Sequence, residues 1–388
     1  MRLLGVQIAY GHSPEARVFA GLLRHRSDRY EALVLHHDWP GDTGNAGKFE
    51  AGGGVPVARF DAGWRPNSNG RRSRLARLAS LVRFRLSLPR MLEAAGRFEP
   101  DVVYSSQQRW DCLAASYIAA RLRRPQVIHL HYAAGPWLGR QPLRRLRECA
   151  QVVTVADFIA DEAIRCGSPP ERVTTVRNPM TPAASPPEGA RDEVRAELGL
   201  PAGAPLIGIV ARLVRDKGQD STIAAFTRIA GSHPEARLLI VGAGPYREEL
   251  ERQARVSGLA ERILFSGRRS DVPRILAALD VFSHPSRLDA CPLALLEACG
   301  SGLPAVGYDE AGVPEIIASG ETGLLAPPDD IDALAGCFAR LLDEPESARR
   351  MGRAGRERVD RLFRPETVAG QFADIVERVA AGRQAVSV

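Results

Sequence analysis

Short apolar runs recur along this chain, each closed by a glycine or polar turn and followed by a stretch with helical spacing. RLLGVQIAYGHSPEARVFAGLL predicts a strand over Leu3–Tyr10, a tight loop from Gly11, then a helix. YEALVLHHD and PDVVYSSQ predict further strands; WDCLAASYIAARL is a helix that leads into the strand PQVIHLHYAAG, and AQVVTVADFIADEAIRCG is strand then helix. RNPMTPAASPPEGAR interrupts the alternation with four prolines between Pro179 and Pro187, a density that stops both helix and sheet and reads as a linker. The pattern then restarts with PLIGIVARL, ARLLIVGAG, RILFSG, LDVFSHPS and LPAVGYD. Strands alternating with helices imply parallel sheets covered on both faces. The fold class expected is α/β, with two doubly wound, Rossmann-like domains facing a cleft. The first is expected over 1–185 and the second over 186–365, with a helix over 366–388 crossing back to the first. In such sheets ligands bind beyond the carboxyl ends of the strands.

Composition changes this picture little. The 388 residues are 45 % apolar and 25 % charged, ordinary for a globular chain of two domains. The net charge of +6 suits a phosphate-rich ligand, a nucleic acid, a membrane surface or simply an arginine-rich genome. Six cysteines form no C-x-x-C and no zinc-type His–Cys spacing, which predicts reduced thiols in a cytoplasmic protein. The opening residues lack the apolar core of a signal peptide, and no apolar run approaches the roughly 18 residues of a membrane span.

The second half carries most of the candidate chemistry. VARLVRDKGQD places Arg212 and Lys217 just past a strand, where two cations suit a diphosphate and strengthen their grip as a leaving diphosphate gains charge. A plainer reading is two solvated surface cations. IVGAGPYREEL offers Gly242 and Gly244 between strand and helix, either for close approach of a ligand or as a structural turn. As a dinucleotide fingerprint it lacks the third glycine, and no acid ends the next strand, which argues against an oxidoreductase. LFSGRRSDV ends a strand at Gly267, with Arg268 and Arg269 beside a position for a base, or as a plain turn. In HPSRLDACPLALLEACGSG, Pro292 opens a helix whose free amides at Leu293 and Ala294 make an anion site. Asp289 lies in the loop beside that site, near Cys291, placed to face a sugar attached to the phosphate. Glu297 sits one turn inward among apolar neighbours, where a half-buried carboxylate needs a partner such as a ribose diol. No Asp-x-Asp with metal-binding context appears, and Asp329–Asp330 reads as a helix cap.

R-x4-KG, GxGP, F-x-G, HPS-x-x-D-x7-E-A and AGVPEIIASGETGLLAPPDD occur here in the order and spacing of the retaining GT-B glycosyltransferases of family 4 (group 1). The chain resembles the members that look like bacterial sucrose-phosphate synthases and phosphatidylinositol mannosyltransferases, strongly over about 205–345 and by architecture over the first domain. The resemblance implies that Arg212 and Lys217 hold the donor diphosphate, Glu297 the ribose, and Asp289 the donor-sugar hydroxyls. Gly312 and EIIASGETG, with Glu315, would close the donor pocket. The family usually has glutamate followed by glycine-rich residues where this chain has Asp289 and ACP, so donor identity does not carry over. In the first domain the family places a histidine at the strand end near the anomeric carbon. His131 fits best, and His129, two residues back on the same face, stays open as an acceptor contact. Gly11 matches the family's glycine turn near the donor phosphate, but His12 replaces the second glycine and is placed to meet the acceptor.

The run RRSRLARLASLVRFRLSLPR, residues 71–90, has seven arginines, no acid, and Leu75, Leu78 and Val82 on one side. It reads as a solvated helix packing on its own domain, or as a basic amphipathic surface for an anionic membrane. Nucleic acid is not expected, since no aromatics interleave with the arginines. The resulting expectation is a retaining hexosyl or N-acetylhexosaminyl transferase. It would move sugar from a nucleotide-diphosphate donor, a UDP-sugar on family frequency, to a hydroxylated acceptor. No metal and no cofactor beyond that co-substrate are expected, and the location is cytoplasmic, or peripheral at the inner membrane face. The alternatives are a GDP-mannose-dependent mannosyltransferase acting on a membrane lipid, and a non-catalytic nucleotide-sugar-binding subunit.

Overall fold

The computed structural model describes residues 1–8, 14–37, 49–50, 54–60, 74–106, 109–180, 186–201 and 203–384. It divides into two compact units, Met1–Pro179 with Pro365–Val388, and Met180–Arg364. The first changeover falls at Pro179/Met180, a few residues ahead of the expected 185/186. The reason is local: Met180 donates its N–H to the Phe363 carbonyl (2.8 Å) and is buried in the core of the second unit.

Unit one holds strands β1 (Arg2–Gln7), β2 (Glu31–His37), β3 (Val57–Phe60), β4 (Val102–Ser106), β5 (Gln126–Leu130), β6 (Gln151–Thr154) and β7 (Val173–Thr175). They form one parallel sheet in the order β3-β2-β1-β4-β5-β6-β7. Unit two holds β8 (Leu206–Val210), β9 (Arg237–Val241), β10 (Ile263–Gly267), β11 (Val281–His284), β12 (Ala305–Tyr308) and β13 (Gly323–Ala326). Its order, β10-β9-β8-β11-β12-β13, is the same doubly wound arrangement, again all parallel. β3, β7 and β13 are three short strands that the apolar pattern does not predict.

The period-two geometry of a strand explains why both faces of each sheet carry a core. Along β9, Leu238 and Ile240 enter one apolar cluster, and Leu239 and Val241 the cluster on the other face. Along β4, Val102 and Tyr104 face one cluster and Val103 the other. The helix Pro365–Gln384 belongs to unit one, where Val368, Phe372, Ala373 and Val376 complete the cluster around Tyr104. Phe372 meets the Tyr104 ring edge-on at 5.6 Å. Arg29 ties the helix down through Asp374 (2.7 Å) and Glu377.

The basic run forms part of the helix Arg74–Phe98, and its buried side is set by Phe84, Met91 and Ala95. Residues 71–73 and the side chains of Leu75 and Leu78 lie outside the described residues. Val82, expected on the packed side, is 48 % exposed, and Leu86 one turn on is 70 % exposed. Arg83, Arg85 and Arg90 are exposed around them. A surface of apolar residues amid arginines therefore faces solvent. No helix among the described residues is long and apolar enough to cross a membrane.

Candidate active site

In a doubly wound sheet the strand order reverses between two neighbouring strands, and the loops leaving them diverge to open a crevice. In unit two these are β8 and β11. The loop after β8 carries Arg212 and then a short 3-10 turn, Arg215–Lys217, before the helix Gln219–Ile229. The loop after β11 carries Asp289 and ends at Pro292, ahead of the helix Leu293–Gly300. The two loops are sewn together. Ser286 Oγ and Arg287 N both donate to the Asp216 carbonyl, at 3.0 and 3.1 Å, and Thr222 Oγ1 meets Ser283 Oγ at 2.9 Å. Gly218 has φ +72°, and a Cβ there would sit 2.0 Å from the Pro285 carbonyl oxygen, so only glycine lets the loops approach this closely.

This seam brings Lys217 and Asp289 together across 72 residues of sequence, with Lys217 Nζ 2.5 Å from Asp289 Oδ1. The second carboxylate oxygen, Oδ2, lies 3.1 Å from His284 Nε2, at the very end of β11. Burial would raise the Asp289 pKa. The His284 hydrogen bond and charge and the Lys217 ammonium overcome that and hold the carboxylate well below its ordinary range. Asp289 is thus a fixed anion at neutral pH. Arg212, in the loop after β8, is exposed, and its guanidinium has no partner among the described residues.

The helix Leu293–Gly300 begins without a side-chain cap, with Pro292 at its N-cap. Its first amides, including Leu293 and Ala294, have no intrahelical acceptor by position and carry the positive end of the helix dipole. Glu297 is half-buried one turn inward, and Cys291 is half-buried in the loop before the helix. The far side of the Asp289 loop is held by Gly312, whose N–H donates to the Asp289 carbonyl at 2.9 Å. Glu315 lies in the short helix Val313–Ile316 that follows, and its carbonyl accepts from Arg358 at 3.0 Å.

Other expected donor contacts have evident structural work. Gly242 has φ +145°, and its Cβ position is filled by the Ala211 carbonyl 1.9 Å away, so this glycine serves packing of the β9 turn on the β8 loop. Gly267, at φ +72°, accepts the Gly242 N–H (2.8 Å). Arg268 is exposed, whereas Arg269 is engaged by Asp271 at 2.7 Å and by Glu197. Of the expected cap, Asp330 does cap the helix Ile331–Asp343, accepting from Ala333 N at 2.9 Å, while Asp329 accepts from Arg287 at 2.7 Å.

In unit one His131 follows β5, buried, and its ring lies 4.3 Å from that of His129. His129 is wholly buried, with Nδ1 3.0 Å from the Tyr104 hydroxyl. Burial pushes both imidazoles down; for His131 the value falls to about 4, against an upward pull from Glu15. Both are therefore neutral near pH 7. Asp111, also buried, accepts from Ile8 N and Ser106 Oγ, each at 2.7 Å, and so orders the chain leaving β1. Gly11 and His12 lie outside the described residues.

The family description "Glycosyl transferases group 1" matches residues 190–358, and "Glycosyltransferase Family 4" matches residues 16–183. The GDP-mannose-dependent alpha-(1-6)-phosphatidylinositol monomannoside mannosyltransferase of Mycolicibacterium smegmatis is 30 % identical over 259 residues, 64 % of this chain and 68 % of that one. The chain belongs to the group 1, family 4 glycosyltransferases. Another relative, the 2-deoxystreptamine glucosyltransferase of Streptomyces kanamyceticus, is 30 % identical over 241 residues, 60 % of this chain and 62 % of that one. The chain matches about two thirds of the length of these curated relatives. Among solved structures, Anabaena HepE in complex with UDP superimposes with a TM-score of 0.80 at 22 % identity, over 97 % of this chain and all of that one. That likeness is one of fold, and the fold is GT-B.

His284 is the residue that the sequence reading passed over. It stands in the quoted HPS segment, but its role depends on where the strand end lies relative to Asp289, which spacing alone does not reveal.

Proposed function

We propose that this chain is a retaining glycosyltransferase that takes a hexosyl group from a nucleotide-diphosphate sugar bound in unit two. The observation that carries the reading is the convergence at the β8/β11 reversal: the free Arg212, Lys217, the uncapped helix start at Leu293 and the fixed Asp289 anion. Cations and amides suit a diphosphate, and a carboxylate beside them suits sugar hydroxyls. Glu297 would take the ribose diol. An acceptor hydroxyl forms the new bond to the anomeric carbon as the bond to the diphosphate oxygen breaks; its proton passes to the departing diphosphate, whose developing charge falls on Arg212, Lys217 and the amides. These groups supply the charge that a metal would otherwise supply, so turnover is expected to persist in EDTA. His131, neutral at pH 7, serves as a hydrogen-bonding group on the acceptor side.

Titration calorimetry with UDP and GDP tests the donor site directly and ranks the two bases. Binding of neither ends the proposal. Product NMR after incubation with UDP-glucose, UDP-N-acetylglucosamine and GDP-mannose reads both the sugar moved and the configuration kept. A non-catalytic binding subunit would bind nucleotide and release no sugar.

A second reading is supported by the exposed Val82 and Leu86 amid Arg83, Arg85 and Arg90. It is a GDP-mannose-dependent enzyme with a lipid acceptor, working at the cytoplasmic membrane face. Sedimentation with anionic vesicles at low and high salt decides it. No binding at low salt leaves a soluble hydroxylated acceptor, such as an aminocyclitol, as the reading.

A further inference from the structure

We infer that His284 is a positioning residue for the donor sugar: it fixes the Asp289 carboxylate so that the remaining lone pairs of that group meet hydroxyls of the bound hexose. The inference rests on the donor-site reading above and deepens it.

The geometry is specific. His284 is 2 % exposed, and its ring lies nearly parallel to Phe282, with centroids 6.3 Å apart. Its orientation is therefore set by the strand and the core rather than by solvent. An ionised carboxylate only accepts hydrogen bonds, so the hydrogen in the 3.1 Å contact sits on Nε2 and points at Asp289 Oδ2. Lys217 takes Oδ1 at 2.5 Å. Each carboxylate oxygen has room for two donors. One site on each oxygen therefore remains for sugar hydroxyls, in directions dictated by the two protein partners.

The partners are not equivalent once a donor arrives. Lys217 is also one of the two cations assigned to the diphosphate, and a phosphate oxygen competes with Asp289 for its three N–H groups. His284 has no such competing task, because it is buried behind the carboxylate. It becomes the anchor of the Asp289 carboxylate in the loaded site, while Gly312 holds the backbone. Aspartate reaches one methylene less far than the glutamate usual in the family, which makes its placement correspondingly more dependent on that anchor.

The test uses the full chain, with His284→Phe to keep the ring and lose the donor, and His284→Gln to keep a donor. The affinities for UDP and GDP should stay within about threefold of the parent in His284→Phe, because the diphosphate is held by other groups. Turnover of the preferred donor, read by mass spectrometry as sugar released or transferred, should fall on the order of 10–100-fold, the range seen when outer-shell partners are lost. His284→Gln should restore most of that loss. In an Asp289→Asn background, His284→Phe should cost little more, since groups acting as one unit are not additive. Unchanged turnover in His284→Phe overturns the inference, as does a loss that multiplies fully with Asp289→Asn or one that lies wholly in nucleotide affinity. If His284→Phe fails to fold by circular dichroism, His284→Asn, whose amide falls short of Asp289, carries the same comparison. A parent protein that binds neither UDP nor GDP sinks the donor site itself; a parent that binds, with His284 variants indifferent, sinks only the role of His284.

Discussion

Gly312→Ala perturbs the donor site without touching any side chain in it. The backbone at Gly312 has φ −89°, open to any residue, so the effect is not one of strain in φ. It is a collision. A Cβ at this position would lie 1.5 Å from the Ala290 carbonyl oxygen, whereas ordinary contact begins at 3.4 Å. One of the two segments must retreat by about 2 Å to restore van der Waals separation. The same movement stretches the 2.9 Å hydrogen bond from Gly312 N to the Asp289 carbonyl. Asp289 lies on the segment that moves. Misplacing a catalytic group by about 1 Å can cost about 100-fold, so turnover should fall by at least that factor. Affinity for UDP or GDP should fall much less, because Arg212 and Lys217 sit on the other loop. Steady-state kinetics with the preferred donor and calorimetry with the nucleoside diphosphate measure the two effects on one preparation. Folding is checked by thermal melting, where a loss of about 1–3 kcal/mol is expected for overpacking. A well-folded Gly312→Ala enzyme with the parent turnover would refute the idea that this contact sets the position of Asp289.

Lys217→Met and Arg212→Met should each weaken nucleoside-diphosphate binding by roughly 10–100-fold, the value of a charge-assisted hydrogen bond, and equal affinity in calorimetry would contradict the assigned roles. His131 is held by burial at about 4, below its ordinary 6.5, so the folded chain binds fewer protons than the unfolded chain between those values. Stability is then complete above pH 6.5 and declines toward pH 4, by on the order of 3 kcal/mol for this residue, and His131→Asn should flatten that decline in urea melts at stepped pH. An identical slope in the variant would place the titration elsewhere. Phe372→Ala removes a fully buried ring from unit one and should cost about 3–5 kcal/mol, with a matching fall in denaturation midpoint; a change below about 1 kcal/mol would mean that the 365–384 helix is not part of that core.

The doubly wound architecture was legible because every long strand is apolar on both faces and is followed by a turn and a helical period. β3, β7 and β13 were not: Val57–Phe60 holds an arginine, Val173–Thr175 two threonines, and Gly323–Ala326 opens on a glycine, so none shows the apolar run that marks the other strands. The acid pair Asp289 and Glu297 was legible as a helix-entry motif. The Lys217–Asp289 contact was not: it depends on β8 and β11 being neighbours, which follows from sheet order rather than from spacing. Gly242 was legible as a glycine turn, open either to a ligand or to packing, and the Ala211 carbonyl in the place a side chain would need shows the packing. The pairing of Arg269 with Glu197 was not legible either, because the two residues lie 72 positions apart. Val82 looked buried by its helical phase, but the helix turns Phe84 and Met91 inward instead.

The return of residues 365–384 to the first sheet has a consequence for synthesis. The strands of unit one are complete once Thr175 has been made, yet the face around Tyr104 stays uncovered until Val368, Phe372 and Val376 exist. All of Met180–Arg364 has to be translated in between. At 5–20 residues per second that interval lasts on the order of 10–40 s, during which a ribosome-bound sheet shows an oily patch to its surroundings. The half of the polypeptide that is born first is therefore the half that can finish folding last, and chaperone demand should track translation speed through the second unit.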